Sequence, residues 1–343
     1  MKNLRCYKKG ELFLITLILH LVKFNRTFAL MNDIISFSGI VFKHTGSRYL
    51  VKHPQSATLI DCIIRGKLRL KDVATTNPIT VGDNVDVEMT NEKEGIITAV
   101  HPRRNYIIRR ATNLSRQAHI LAANIDCAYL IVTMDFPSIH LEFVDRFLVT
   151  CEAYKVTAKI IINKTDLYDD VLLEKLEEFK AIYSLAGYEI IEVSAQTAFQ
   201  ITLLRDDIKD KLCLFSGISG VGKSSLINAI DPTLSLRTGA ISAYHQKGTH
   251  TTTFYEMFII KSGGYIIDTP GIKGFGLVDV EKEELYHFFP EIFKHAAHCK
   301  FNPCMHLQEP QCAVKEAVEH NTISQARYES YLKMLNDEGE KYR

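Results

Sequence analysis

The 343-residue chain has almost no net charge: 41 Lys and Arg against 40 Asp and Glu leave +1 with histidine neutral. No global basic field therefore advertises nucleic acid, and any such contact must come from local patches. A run long enough to span a membrane is missing too. The apolar stretch Leu12 to Val22 is too short to cross a bilayer as a helix. Lys2, Arg5, Lys8 and Lys9 before it imitate the first two regions of an export signal, but no small-x-small cleavage site follows; the next residues are Lys23, Phe24, Asn25 and Arg26. Residues 1–30 are read as an extraneous extension, with Met31 opening the working chain. Internal repeats and low-complexity tracts are also absent. With 46% hydrophobic and 24% charged residues, the chain can bury cores and is not disordered; its length suits two or three domains.

A disulfide framework is the last absence. Of the eight cysteines, Cys6, Cys62, Cys127, Cys151 and Cys213 are scattered, mostly in apolar runs where a thiol packs as a small hydrophobe. The other three crowd together as Cys299-x₄-Cys304-x-His306-x₅-Cys312. Three thiolates and one imidazole suffice for closed tetrahedral zinc, one ion per chain, with no position left for water. A structural metal in a reducing compartment follows. His295 and His298 are competing ligands just before the cluster.

From Ser36 to about Arg110 the chain reads as short strands at 37–43, 48–53, 58–65, 84–89 and 95–100, with Thr45-Gly46, Asn77-Pro78 and Gly82-Asp83 between them. Five such strands predict a small Greek-key barrel of OB type. Arg65, Lys67, Arg69 and Lys71 alternate along one stretch, and Arg103, Arg104, Arg109, Arg110 and Arg116 form a second cluster. Both suit RNA, and both suit a solvated charged face.

Beyond residue 120 the pattern changes to buried strands alternating with helices: 128–133, 158–162, 188–193 and 212–215, with a helix over 171–185 ending at Gly187. This alternation predicts a doubly wound α/β domain. Gly217, Ile218, Ser219, Gly220, Val221, Gly222, Lys223 and Ser224 spell G-x-x-x-x-G-K-S between a strand and a helix. Glycines let backbone N–H groups close round phosphates at a helix N-terminus. Lys223 would reach the β/γ-phosphates and the Ser224 hydroxyl would bind Mg²⁺.

The base is chosen elsewhere. Asn163, Lys164, Thr165 and Asp166 follow the strand ending at Ile162. A carboxylate at Asp166 accepts from guanine N1–H and the 2-amine, which adenine cannot offer. Such charge-assisted bonds contribute about 1.5–3 kcal/mol each. Ser194, Ala195 and Gln196 would add a companion contact. Asp268-Thr269-Pro270-Gly271 follows another strand; Asp268 would join the Mg²⁺ shell and the Gly271 N–H would sense the γ-phosphate. Between lies Gly248-Thr249-His250-Thr251-Thr252-Thr253, a candidate switch in which Thr252 completes the Mg²⁺ shell. After Gly271, where many G proteins carry a water-orienting glutamine, stands Ile272, so His250 becomes the candidate for handling the water.

Order is the most informative feature. Ordinary G proteins place the phosphate loop first and N-K-x-D later. Here N-K-T-D at 163 and S-A-Q at 194 precede the phosphate loop at 217 and D-T-P-G at 268. The same sheet can hold these loops if the chain is cut elsewhere.

The permuted motifs, the barrel before them and the Cys-Cys-His-Cys tail resemble the RsgA (YjeQ) family, GTPases of small-ribosomal-subunit biogenesis. The likeness runs from about Met31 to the C-terminus. Asn163, Lys164, Thr165 and Asp166 match its guanine motif, Gly217 through Ser225 its phosphate loop, and Cys299, Cys304, His306 and Cys312 its zinc ligands. The resemblance implies an OB-fold over 31–105, a circularly permuted GTPase domain over 106–280 and a helical zinc-binding domain over 281–343. It further implies a cytoplasmic GTP hydrolase binding the 30S subunit and its 16S rRNA late in assembly. Hydrolysis would be slow alone, stimulated by the subunit, and coupled to release of assembly factors. Other expectations are binding of GTP and GDP, a monomeric chain and no membrane contact. Two departures stand out: residues 1–30 have no counterpart, and Thr249 stands where the family's G-R-H-T-T-T stretch has arginine. The alternative is a nucleotide-dependent RNA-binding switch that recruits partners with little hydrolysis.

Overall fold

The computed structural model describes residues 35–56, 58–64, 78–110, 118–237, 256–269 and 280–336. Residues 1–30, Cys6, Arg65, Lys67, Arg69, Lys71, Arg116 and the 248–253 stretch lie outside the described residues.

Five strands form the first unit: β1 (Ser36–Thr45), β2 (Arg48–Lys52), β3 (Leu59–Ile64), β4 (Asn84–Met89) and β5 (Glu94–Val100). They pair in the order β1-β2-β3-β5-β4, and β4 returns to β1, closing a barrel. The β3–β5 pair is parallel and the rest antiparallel. Alternate residues point inward, so Val85 and Val87, Ile60 and Cys62, and Val41 and Val51 fill one interior. This is the expected OB-type barrel.

The second unit opens with a hairpin of β6 (Tyr106–Arg110) and β7 (Ala118–Ala123), which the sequence reading did not anticipate. Then follow β8 (Cys127–Val132), helix α1 (Leu141–Ala153), β9 (Ala158–Ile162), α2 (Asp170–Leu185), β10 (Glu189–Glu192), α3 (Ile201–Ile208), β11 (Leu212–Ser216), α4 (Lys223–Ile230), β12 (Glu256–Ile259) and β13 (Tyr265–Asp268). Strands β10, β9, β8, β11 and β13 are parallel neighbours in that order, and β12 adds antiparallel at the edge. β8 shows why its six residues are all apolar. Ala128, Leu130 and Val132 face one core, while Cys127, Tyr129 and Ile131 face the core on the other side. Helix α2 starts under an Asp169 side chain that caps Leu172 N–H, and Gly187 (φ +91°) turns the chain after it.

β12 also pairs antiparallel with β1 at Lys43 and Glu256, so barrel and α/β sheet are one continuous surface. The C-terminal unit packs α5 (Pro290–Ala296), α6 (Ala313–Glu319) and α7 (Gln325–Leu335) into a third core that includes Val149 of α1. Cys62, Cys127, Cys151 and Cys213 are buried free thiols, as anticipated. Arg103 corrects the basic-cluster reading: its guanidinium is buried against Asp83 at 2.7 Å and is a strut, not a surface cation. Arg104 pairs with Asp126 in the open. Among the described residues no helix is long and apolar enough to cross a membrane.

Candidate functional site

Parallel sheets present their loops at the carboxyl ends of the strands, and four such loops meet here. Strand β11, buried throughout, delivers Gly217; α4 begins at Lys223 behind Gly222, whose φ is +91°. Both glycines are required by close approach. A Cβ on Gly217 would collide with the Ile131 carbonyl, and one on Gly222 would lie 2.5 Å from Asn163 Nδ2. Lys223 Nζ donates to the carbonyls of Gly217 (2.8 Å) and Ile218 (3.3 Å), so the ammonium is folded over the loop's hollow. Burial pulls its pKa down, and Asp268 partly opposes that.

Asp268 sits at the end of β13, in register with Phe215 of β11. Burial pushes its carboxyl up to about 6 despite the nearby Lys223. Its Oδ1, and the Ser216 hydroxyl before the loop, are buried with no hydrogen-bond partner among the described residues. An orphaned buried carboxyl oxygen beside a phosphate-type loop and the Ser224 helix start fits a hard divalent cation. Thr269, next in D-T-P-G, donates through both Oγ1 and N–H to the Phe215 carbonyl, fixing where Asp268 points.

Asn163 joins three loops. It is almost fully buried, its Nδ2 donates to Val221 O (2.9 Å) in the phosphate loop, and its Oδ1 accepts from Ala195 N–H (3.2 Å). Lys164 adopts the left-handed conformation (φ +66°), and its Nζ donates to Gly220 O (2.8 Å) and Phe136 O (2.6 Å). Holding a non-glycine residue there costs about 1–2 kcal/mol, offset by the bonds it makes. Asp166 is exposed except where its Oδ1 accepts from Ser194 Oγ (2.5 Å), which in turn accepts from Thr197 N–H. Ser194 thus orders this loop through its side chain, a role the sequence did not signal. The structure gathers Asn163 to Asp166, Ser194, Ala195, Gly217 to Ser225 and Asp268 on one edge. His250, Thr252, Gly271 and Ile272 lie outside the described residues.

Sequence reasoning missed three residues here: Phe136, Thr133 and Tyr168. Phe136 acts through its backbone carbonyl, and Thr133 and Tyr168 through one hydroxyl each, which no motif encodes.

The second centre lies in the C-terminal unit. Ligand atoms of Cys299, Cys304, His306 and Cys312 all fall within 4.8 Å of one another. Cys299 Sγ is 3.8 Å from Cys312 Sγ and 3.6 Å from His306 Nδ1, and Cys312 Sγ is 3.4 Å from the same nitrogen. Tetrahedral zinc, with Zn–S about 2.3 Å and Zn–N about 2.0 Å, demands edges of about 3.8 Å and about 3.5 Å. The donor set fits. Without a cation, burial pushes the Cys304 thiol up to about 12. Outer partners hold the knuckle: Tyr328 donates to His306 O (2.6 Å), and Glu309 accepts from the N–H groups of Met305 and Leu307. His295 is turned away, its Nδ1 against Glu291 O, and neither it nor His298 joins the four.

A guanine-type loop preceding the phosphate loop on one parallel sheet, a barrel joined to the sheet edge and a Cys₃His module define a circularly permuted P-loop GTPase. Family models agree: "RsgA N-terminal domain" matches residues 38–97 and "RsgA GTPase" residues 100–278. The chain belongs to the RsgA family and is a GTP-hydrolysing enzyme. The small ribosomal subunit biogenesis GTPase RsgA of Bacteroides fragilis is 51% identical over 306 residues, 89% of this chain and 98% of that protein. Its counterpart in Phocaeicola vulgatus is 53% identical over the same shares. Among solved structures, YjeQ from Thermotoga maritima is 36% identical with a TM-score of 0.72, covering 88% of this chain and 98% of that one. YloQ, described as a circularly permuted GTPase, is 32% identical with a TM-score of 0.67, over 89% and 95%.

Proposed function

We propose that this GTPase serves small-ribosomal-subunit maturation: it binds the 30S subunit late in assembly and hydrolyses GTP slowly until that subunit stimulates it. The observation that carries the reading is the convergence of N-K-T-D and G-I-S-G-V-G-K-S, stapled by Asn163, in a chain whose relatives bear small-ribosomal-subunit biogenesis in their names. Asp166 accepts from guanine, with Ser194 and Ala195 beside it. The phosphate loop from Gly217 to Ser225 wraps the phosphates, and on nucleotide binding Lys223 exchanges its two carbonyl partners for phosphate oxygens. Ser224, Thr252 and Asp268 would hold Mg²⁺, which neutralises charge on the phosphates. The Gly271 N–H reads the γ-phosphate. Cys299, Cys304, His306 and Cys312 hold one structural zinc. The division near residues 30, 105 and 280 separates extension, RNA-binding barrel, GTPase and zinc-binding parts.

His250 supplies the group that Ile272 cannot. An aliphatic side chain cannot orient water, whereas imidazole both donates and accepts. Docking on the subunit brings His250 in, so turnover alone is low. The test is GTP turnover with and without purified 30S subunits, in the native chain and in His250→Ala. The native rate should rise steeply with subunits, and the variant should keep GTP affinity and co-sedimentation yet lose most of that rise. No stimulation in the native chain would leave the nucleotide-dependent switch as the better reading. A variant that keeps its stimulated turnover but sediments poorly would make His250 a docking residue.

A further inference from the structure

The guanine-type loop ends in a three-residue 3₁₀ turn, Thr165–Leu167, whose preceding residue Lys164 has no side-chain cap. A turn this short does not fix its own orientation. Thr165 Oγ1 on Val193 O (3.1 Å) and Ser194 on Asp166 hold it from the β10 side, and Tyr168, the residue after the turn, holds it from the β8 side. Its hydroxyl donates to Asn163 O (2.9 Å) and accepts from Met134 N–H (2.9 Å), tying the base loop to the segment that follows β8. That segment is pinned in turn: Thr133 Oγ1, on a fully buried residue, donates to Pro137 O (2.7 Å). Phe136, left-handed at φ +56°, offers its carbonyl to the Lys164 ammonium. Lys164 is therefore gripped between Phe136 O and Gly220 O, and Tyr168 ties the base loop to the Phe136 side of that grip. Its ring packs on the same core as Leu172 and Met134, and burial pushes the phenol up to about 12, so its proton stays in place near neutrality.

We propose that Tyr168 is a positioning residue for base selection, its single hydroxyl holding Lys164 and Asp166 in register with the phosphate loop. The proposal rests on the reading that Asn163 to Asp166 recognise guanine. Tyr168→Phe deletes the hydroxyl and keeps the ring. Binding of GDP and of IDP, which lacks the 2-amine, is measured by titration calorimetry for the native chain, Tyr168→Phe, Thr133→Val and Asp166→Asn. Tyr168→Phe should weaken GDP about tenfold and IDP about threefold, narrowing the preference for guanine. A residue that only stabilises the fold would weaken both alike, and that result, or no loss at all, would overturn the proposal. Thr133→Val, which loosens the facing segment, should narrow the preference in the same direction by about twofold. It provides the test if Tyr168→Phe does not fold, and an unchanged preference there would overturn the proposal equally. If Asp166→Asn keeps the full preference for GDP, the guanine reading falls and takes Tyr168 with it. If Asp166→Asn abolishes the preference while both other variants retain it, only the Tyr168 assignment is wrong.

Discussion

The barrel and the C-terminal unit are both fastened to the GTPase sheet, but their charges are placed differently. The barrel's ion pair lies in the open, beside a seam that buries Phe42 and Val81 in the core of the α/β domain and hydrogen-bonds Thr80 Oγ1 to Ile120 O and Leu121 O. β1 pairs with the edge strand β12, the Lys43–Glu256 ion pair (2.9 Å) is partly exposed, and Lys52 donates to Tyr265 OH while lying over that ring. The C-terminal unit is joined in the dark. Arg327 of α7 is fully buried; it donates to Asp145 of α1 (2.7 Å) and to Glu291 of α5 (2.7 Å), stacked 4.6 Å over Phe289. An exposed pair contributes about 0–1 kcal/mol, whereas stripping one partner from a buried cluster costs about 3–5 kcal/mol. The contrast is between charges at the rim of one joint and charges inside the other.

Removing zinc should have the largest effect and break the comparison from one side. Structural zinc contributes on the order of 10 kcal/mol to small domains. Cys304→Ser should lose the metal, one ion per chain by elemental analysis, and make the region beyond residue 280 protease-sensitive while GTP binding persists. Freshly purified, reduced protein without zinc would refute the assignment. The second test strikes the buried joint. Arg327→Ala leaves two uncompensated carboxylates and should destabilise by about 3–5 kcal/mol in urea denaturation. Replacing all three as Asp145→Leu, Glu291→Met and Arg327→Met should recover most of that loss, since the desolvation cost goes with the charges. A triple variant weaker than Arg327→Ala would mean that the charges themselves hold the joint. The smallest effect belongs to the barrel. A double-mutant cycle on Lys43→Ala and Glu256→Ala should give a coupling of about 1 kcal/mol or less, fading in high salt. A salt-insensitive coupling well above that would put both joints in one class.

The nucleotide edge was legible because its chemistry is local. Gly217 to Ser224 and Asn163 to Asp166 are contiguous, and the apolar runs before them mark the strands that deliver them. The circular order was legible for the same reason, since it is a statement about sequence positions. The joints were not. Arg327 meets Asp145 across 182 positions and Lys43 meets Glu256 across 213, and nothing near either residue signals a partner. Arg103 misled because a cluster of arginines resembles a surface, and only the fold reveals that buried Asp83 faces it. Tyr168 carried no signal at all: its role is one oxygen between two backbone groups.

The seam between β1 and β12 has a consequence for how the chain comes into being. The barrel's five strands span residues 36–100 and can close as soon as they are made, leaving only the end of β1 around Lys43 open on one side. The half of the sheet that carries Asn163 to Asp166, β8 to β10, is synthesised next, and the half that carries Gly217 to Ser225 adds to its open side as β11 and then β13. The strand that β1 awaits arrives more than 200 residues after it, so this contact carries a large loop-closure cost and forms late. Until then the end of β1 around Lys43 is open on one side, since β4 covers only Ser36 to Ile40, and this is where a wrong strand could add. Because the permutation places β8 to β10 before β12, it also lengthens the time for which that end of β1 stays unpaired.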